Sequence, residues 1–280
     1  MSDAAFHAPE NAGHGRQPSG RAVATFVSVT FGFSWLAWLP LVFSGPTMVM
    51  PWNFYLGSMG PALGAIAVTL VLRPDGGFGS WARRTFSVTG IGRALAVVVA
   101  SILAYVGVGL LVERMASGSL DTMSSIGLTS QLPGASAVLV LLVWVLTFGI
   151  GEETGWRGWL MPTLTGHFGY VPASLMVAGT WIAWHLPQFI FNPGFRNMGW
   201  AAVGWVIAMV AGSFWLGWLA KIGRWSIVPV VLFHGGFDLL TASDLGPVTL
   251  AAASSTLVMV QAAAVVVALA VGRARALRTE

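Results

Sequence analysis

The chain has 280 residues, of which 56% are hydrophobic and 9% charged, with a formal net charge of +4 and no cysteine. Soluble domains carry about 25% charged residues, so the composition excludes a water-soluble globule and a disordered chain. The missing cysteines exclude a disulfide scaffold, a thiolate zinc site and a cysteine nucleophile.

A hydrocarbon core of about 30 Å is crossed by roughly 20 apolar residues in helical conformation. Eight segments qualify, so the expected fold class is all-α: a polytopic membrane helix bundle with about eight transmembrane helices. In chain order they run Arg21 to Phe43, Trp52 to Leu72, Ala94 to Leu111, Ser136 to Trp159, Ala173 to Phe191, Trp200 to Ala220, Ser226 to Leu240 and Thr249 to Val271. The seventh is short and carries glycine. Residues 1–20 are polar, include Pro9 and Pro18, and read as a disordered cytoplasmic tail. The bundle then occupies 21–272, with its motif-bearing core at about 140–242, and 273–280 form a basic cytoplasmic tail. The first apolar run is of full spanning length, which makes it a retained helix rather than a cleaved signal.

Alternating the spans from a cytoplasmic N-terminus puts Arg16, Arg21, Arg73, Arg83, Arg84, Arg93, Arg157, Lys221, Arg224, Arg273, Arg275 and Arg278 on one side. Only Arg114 and Arg196 fall on the other. Such a bias is the positive-inside pattern, and losing one span would invert every later loop. The basic character is therefore a topology signal, and no nucleic-acid partner is expected. Gly79 to Arg84 reads as an interfacial anchor with the Trp81 indole at headgroup level. Gly60 and Gly64 have the small-xxx-small spacing that lets two helices approach closely.

Ionisable side chains inside membrane spans are expensive and usually face a cavity or a partner. Three spans contain them. The fourth holds Glu152, Glu153 and Arg157; adjacent residues project about 100° apart, whereas Glu153 and Arg157, four apart, share a face suited to an ion pair. The fifth holds His185, close to Pro187 and one turn after Trp181. The seventh holds His234 and Asp238, again one turn apart on one face, as in helical pairs that grip a metal or a water. Each cluster also has a plainer reading: glutamates solvated at the headgroups, a hydrogen-bonded core histidine, a helix-surface hydrogen bond. At 1.5 Å per residue the span ends place Glu152, His234 and His185 about 6, 12 and 20 Å from the cytoplasmic edge, compatible with one shared site in that half of the membrane. His7, His14 and His167 look incidental.

Glu-Glu-x-x-x-Arg, then aromatic-x-x-x-His, then His-x-x-x-Asp, in this order on three spans, resembles the CAAX prenyl protease and bacteriocin-processing (CPBP, Abi, Rce1-like) family of intramembrane proteases. Glu152, Glu153 and Arg157 match the first motif, His185 the second with Trp181 where phenylalanine is usual, and His234 the third. Asp238 stands where that family usually has asparagine. An ionised aspartate accepts or binds a cation, which would favour a divalent metal such as zinc on His185, His234 and Asp238; a protonated one still donates.

The resemblance implies hydrolysis of a peptide bond in a membrane-associated or lipidated peptide. Glu152 would be the general base on a water held with His185, directly or through a metal. His234 and Asp238 would stabilise the oxyanion or complete the metal shell, while Glu153 and Arg157 would hold the helix in register. Gly149, Gly151, Gly235 and Gly236 would thin the helix surfaces for water and substrate. A non-catalytic immunity or sensor protein on the same fold, or a cation or proton carrier, are the alternatives. The alanine- and arginine-rich composition points to a bacterial inner (plasma) membrane, with the site opening to the cytoplasm.

Overall fold

A computed structural model describes residues 20–73, 76–118, 120–245 and 248–276. Residues 1–19 and 277–280 of the expected tails lie outside the described residues, as do His7 and His14. The elements are helical: α1 (Gly20–Ser44), α2 (Trp52–Val71), α3 (Gly77–Thr85), α4 (Gly92–Ser117), α5 (Ala137–Phe168), α6 (Tyr170–Trp184), α7 (Gln188–Phe191), α8 (Pro193–Arg196), α9 (Ala201–Ile222), α10 (Val228–Thr241) and α11 (Val248–Ala276). No strand occurs among the described residues. Six of these helices are long and apolar enough to cross a membrane: α1, α2, α4, α5, α9 and α11. The passes expected fifth and seventh are the shorter α6 and α10, of 15 and 14 residues. The chain is a polytopic helical bundle.

Lipid tails are as apolar as leucine, so burial alone does not hold membrane helices together; close packing and polar contacts do. Gly60 and Gly64 lie flat against α1, where a Cβ would stand 2.6 Å from Thr30 O and 2.9 Å from Phe26 O. The four glycines expected to open the site for water serve the same purpose. A Cβ on Gly149 would meet Val231 Cγ1 at 2.9 Å, on Gly151 Ser58 O at 2.6 Å, on Gly235 Val145 Cγ2 at 2.5 Å and on Gly236 Ile102 Cδ1 at 3.3 Å. Neighbouring helices fill the room these glycines leave: Gly149 and Gly235 draw α5 and α10 together, Gly151 brings α5 against α2, and Gly236 brings α10 against α4.

Prolines inside helices leave a carbonyl without its amide partner, and in a membrane that carbonyl must find another donor. The amide that Pro61 lacks would have served Gly57 O, which instead accepts from Ser34 Oγ at 2.6 Å. Likewise the carbonyl Pro162 leaves, Gly158 O, accepts from Trp81 Nε1 at 3.0 Å and Arg84 Nη2 at 3.1 Å, with Thr85 Oγ1 at 3.4 Å. The Trp81 indole is thus buried against α5. And because α3 caps Gly158 O, the fourth span does not stop at Trp159 but runs on to Phe168.

Helix α5 is not regular. Its turns widen to i→i+5 bonding at Val145–Glu152 and again at Trp156–Leu160, on either side of the three residues Glu153–Gly155. Such π segments are rare and concentrate at functional sites. The fifth expected span breaks instead of continuing to Phe191. From His185 to Ile190 the backbone takes i→i+3 bonds, His185 N to Ile182 O at 3.1 Å, Leu186 N to Ala183 O at 3.2 Å and Gln188 N to His185 O at 2.9 Å among them. Pro187, which donates nothing, sits in the middle of this tightened stretch. The break leaves Trp184 O to accept from Trp35 Nε1 on α1 at 3.1 Å.

Candidate active site

The widened turns of α5 present Glu152 and Glu153 in different directions, as adjacent helical residues must be. Both are buried. Glu152 Oε2 accepts from the indole Nε1 of Trp181 at 2.7 Å. Glu153 Oε1 accepts from Arg157 Nη1 and from His234 Nδ1, each at 2.7 Å. The expected one-turn ion pair is thus present, and the same oxygen also ties α5 to α10. Glu153 is therefore more than a register pin: it orients the histidine of the third motif.

Trp181 is the hub. Beyond its bond to Glu152, its backbone carbonyl accepts from His185 Nδ1 at 2.8 Å. A carbonyl only accepts, so Nδ1 carries the proton and Nε2 keeps its lone pair. The indole face carries the Arg157 guanidinium at 4.3 Å from the ring centroid, a cation–π contact strengthened by burial. The His234 ring stands edge-on at 5.7 Å and the His185 ring lies 5.9 Å away. One side chain thus touches the carboxylate, the guanidinium and both imidazoles of the three motifs.

His234 Nε2 faces Asp238 Oδ2 at 3.6 Å, one turn along α10. With a carboxylate oxygen beyond each nitrogen, the ring has acceptors on both sides. This bears on the expected metal set. Among the described residues no three histidine, aspartate or glutamate side chains are grouped to hold a metal ion. His234 Nδ1 is held by Glu153 Oε1, its Nε2 stands 3.6 Å from Asp238 Oδ2, and His185 offers Nε2 alone. The residues as arranged do not group into a metal shell.

His185 sits where α6 breaks, inside an aromatic enclosure of Trp184, Phe195 and Trp205, at centroid distances of 4.8, 5.7 and 5.5 Å. Phe189 packs against both Phe195 and Trp205. Sequence reasoning missed this enclosure, whose members come from three elements, and it missed the donor role of Trp181. The one available signal was the exchange of phenylalanine for tryptophan in the second motif, which adds an N–H. Arg157 is another change: it is fully buried in the site and so is not one of the loop charges. Depth shifts too. With α5 ending at Phe168, Glu152 lies near the middle of its helix and not about 6 Å from one edge. His167 is exposed, with Nδ1 3.2 Å from Thr163 O and its ring 6.1 Å from that of Phe168.

Comparison with known proteins agrees with the motif reading. Residues 134–240, a little over a third of the chain, match the family described as type II CAAX prenyl endopeptidase Rce1-like. The matched stretch contains every residue of the cluster around Trp181. No curated protein matches the chain.

Proposed function

We propose that the chain is an intramembrane endopeptidase that hydrolyses a peptide bond in a membrane-associated peptide. The observation that carries this reading is the convergence of Glu152, His185 and His234 on Trp181 within the stretch matched by the endopeptidase family.

Glu152 is the general base. Its Oε2 is held by the indole N–H, which leaves Oε1 to take a proton from water as the water oxygen attacks the peptide carbonyl. His185 Nε2 accepts from the same water and positions it. The oxyanion that develops on the carbonyl takes the proton-bearing Nε2 of His234, whose 3.6 Å separation from Asp238 leaves that hydrogen bond open to a substrate oxygen. Glu153 holds the other nitrogen of the ring in place. Collapse of the tetrahedral intermediate breaks the C–N bond, and Glu152 returns its proton to the leaving amine. Trp205, Phe195 and Trp184 shield His185 from bulk solvent, so only water bound at the site is delivered.

A peptide reporter embedded in liposomes, with products identified by mass, tests the activity. Cleavage by the wild-type chain and none by Glu152→Gln supports the reading. Charge movement across the liposomes without any cut would favour a carrier.

A further inference from the structure

The aromatic enclosure of His185 is built from parts of unequal footing. Trp184 is fully buried and packs on Trp38 and Trp156, at centroid distances of 4.8 and 6.0 Å. Trp205 stands on α9, a helix of 22 residues. Phe195, whose ring lies 5.7 Å from the imidazole and within 20° of its plane, stands on the four residues of α8. It also meets Phe189 at 5.3 Å and Trp205 at 5.4 Å, which closes the enclosure. His185 is left 8% exposed, too little for a side chain that is to share its site with a peptide.

The segment that carries Phe195 is bonded to little but itself. Among the described residues, the hydrogen bonds of 193–199 close within 190–202. Phe195 N and Arg196 N donate to Asn192 O at 3.1 and 2.9 Å, Asn197 N to Pro193 O at 3.0 Å and Met198 N to Phe195 O at 3.2 Å. Gly194 N donates to Asn192 Oδ1 at 3.0 Å, and Arg196 Nη1 reaches Ile190 O at 3.2 Å in an exposed contact. Gly194, Arg196, Asn197 and Gly199 are exposed. Before the segment lies an anchor: Phe191 is fully buried beside Trp38 and Phe54, and its carbonyl accepts from Thr47 N at 3.2 Å. After it, Gly199 takes a left-handed φ of 52°, with no atom within 4 Å of where a Cβ would stand. A short run with local bonds, between a buried anchor and a glycine turn, can open while its neighbours stay folded.

We propose that residues 193–198 are a lid over the active site. With Phe195 down on His185 the imidazole is closed off; turning about Asn192 and Gly199 lifts the ring and lets a peptide reach the water that His185 positions. Arg196 is the latch, its guanidinium held on the carbonyl of Ile190. Closing again over a bound peptide keeps bulk water from the carbonyl under attack. The inference rests on the proteolytic reading for what the lid admits, and adds to it a moving part and its latch.

Diethylpyrocarbonate, which acylates an unprotonated imidazole nitrogen, reads the lid without any substrate. His185 Nε2 is such a nitrogen, and the exposed His167 on α5 serves as an internal reference. In the full-length protein in detergent, peptide mapping by mass should show His185 modified more slowly than His167. Arg196→Ala removes one hydrogen bond and should speed the modification of His185 by about two- to tenfold, with His167 unchanged. Phe195→Ala should speed it further. Arg196 is exposed, so its variant carries the test should Phe195→Ala fold poorly. Modification of His185 as fast as His167 in the wild type, or at the wild-type rate in Arg196→Ala, would overturn the lid. Failure of the wild-type chain to cut a peptide would overturn the proteolytic reading itself, a result read separately from the modification rates.

Discussion

Trp181 donates its indole N–H to Glu152 Oε2 at 2.7 Å while its own carbonyl holds His185 Nδ1 at 2.8 Å. One residue thereby sets the direction of both Glu152 and His185. Trp181→Phe keeps an aromatic ring over Arg157 and removes only the donor. A hydrogen bond to a charged group is worth about 1.5–3 kcal/mol, so kcat should fall by about one to two orders of magnitude, with KM and purified yield little changed. The pH profile of kcat/KM should move as well, because the bond acts on the base; a purely structural role would lower yield and leave the profile where it was.

Glu152→Gln preserves shape and the acceptor for Trp181 but cannot take a proton. General-base contributions run at about 10²–10⁴-fold, so cleavage should drop by at least that range while the helical circular dichroism and detergent elution profile remain those of the wild type.

Glu153 and Arg157 predict the opposite signature. Removing one partner of a buried ion pair costs about 3–5 kcal/mol. Glu153→Ala and Arg157→Ala should therefore reduce expression and melting temperature together with activity. Arg157→Lys should recover only part of the loss, since an ammonium does not reproduce the planar stacking on Trp181.

Asp244 supplies a pH test outside the spans. Burial alone would raise its carboxyl, but hydrogen bonds from Ser130 and Thr129 outweigh it and hold the group below its ordinary range. A lowered folded value means that the stabilisation is present above the ordinary carboxylate value and is lost as pH falls through the lowered one. Thermal unfolding in detergent should show an acid-side loss of stability that Asp244→Asn reduces. Identical acid dependence in both proteins would mean that the hydrogen bonds to Asp244 do not stabilise the fold.

Chelation addresses the metal question. Since no three histidine, aspartate or glutamate side chains among the described residues are grouped to hold a metal ion, cleavage should survive exhaustive treatment with a strong zinc chelator. Loss of activity restored by added zinc would mean that His234 lets go of a carboxylate when it works.

Much of this architecture was legible in the sequence because charge-poor stretches of spanning length leave few alternatives, and because the Glu153–Arg157 pair lies within one helical turn. What was hidden depends on distant residues. The fourth span outlasts its proline since Trp81, 77 positions earlier, caps the freed carbonyl. The Glu153–His234 bond joins residues 81 apart, and only folding brings them together. The π segments of α5 change which way Glu152 points, so regular helical spacing could not foretell its partner on α6. The break at His185 was marked by Pro187, but the aromatic enclosure around it draws on α8 and α9, which no local pattern connects.

The most direct test is single-turnover cleavage of a membrane-embedded peptide by wild-type and Glu152→Gln proteins reconstituted side by side. One defined pair of products is expected from the wild type and intact peptide from the variant. Equal cleavage by the two would contradict it, because the carboxylate held by Trp181 would then not be the group that activates water.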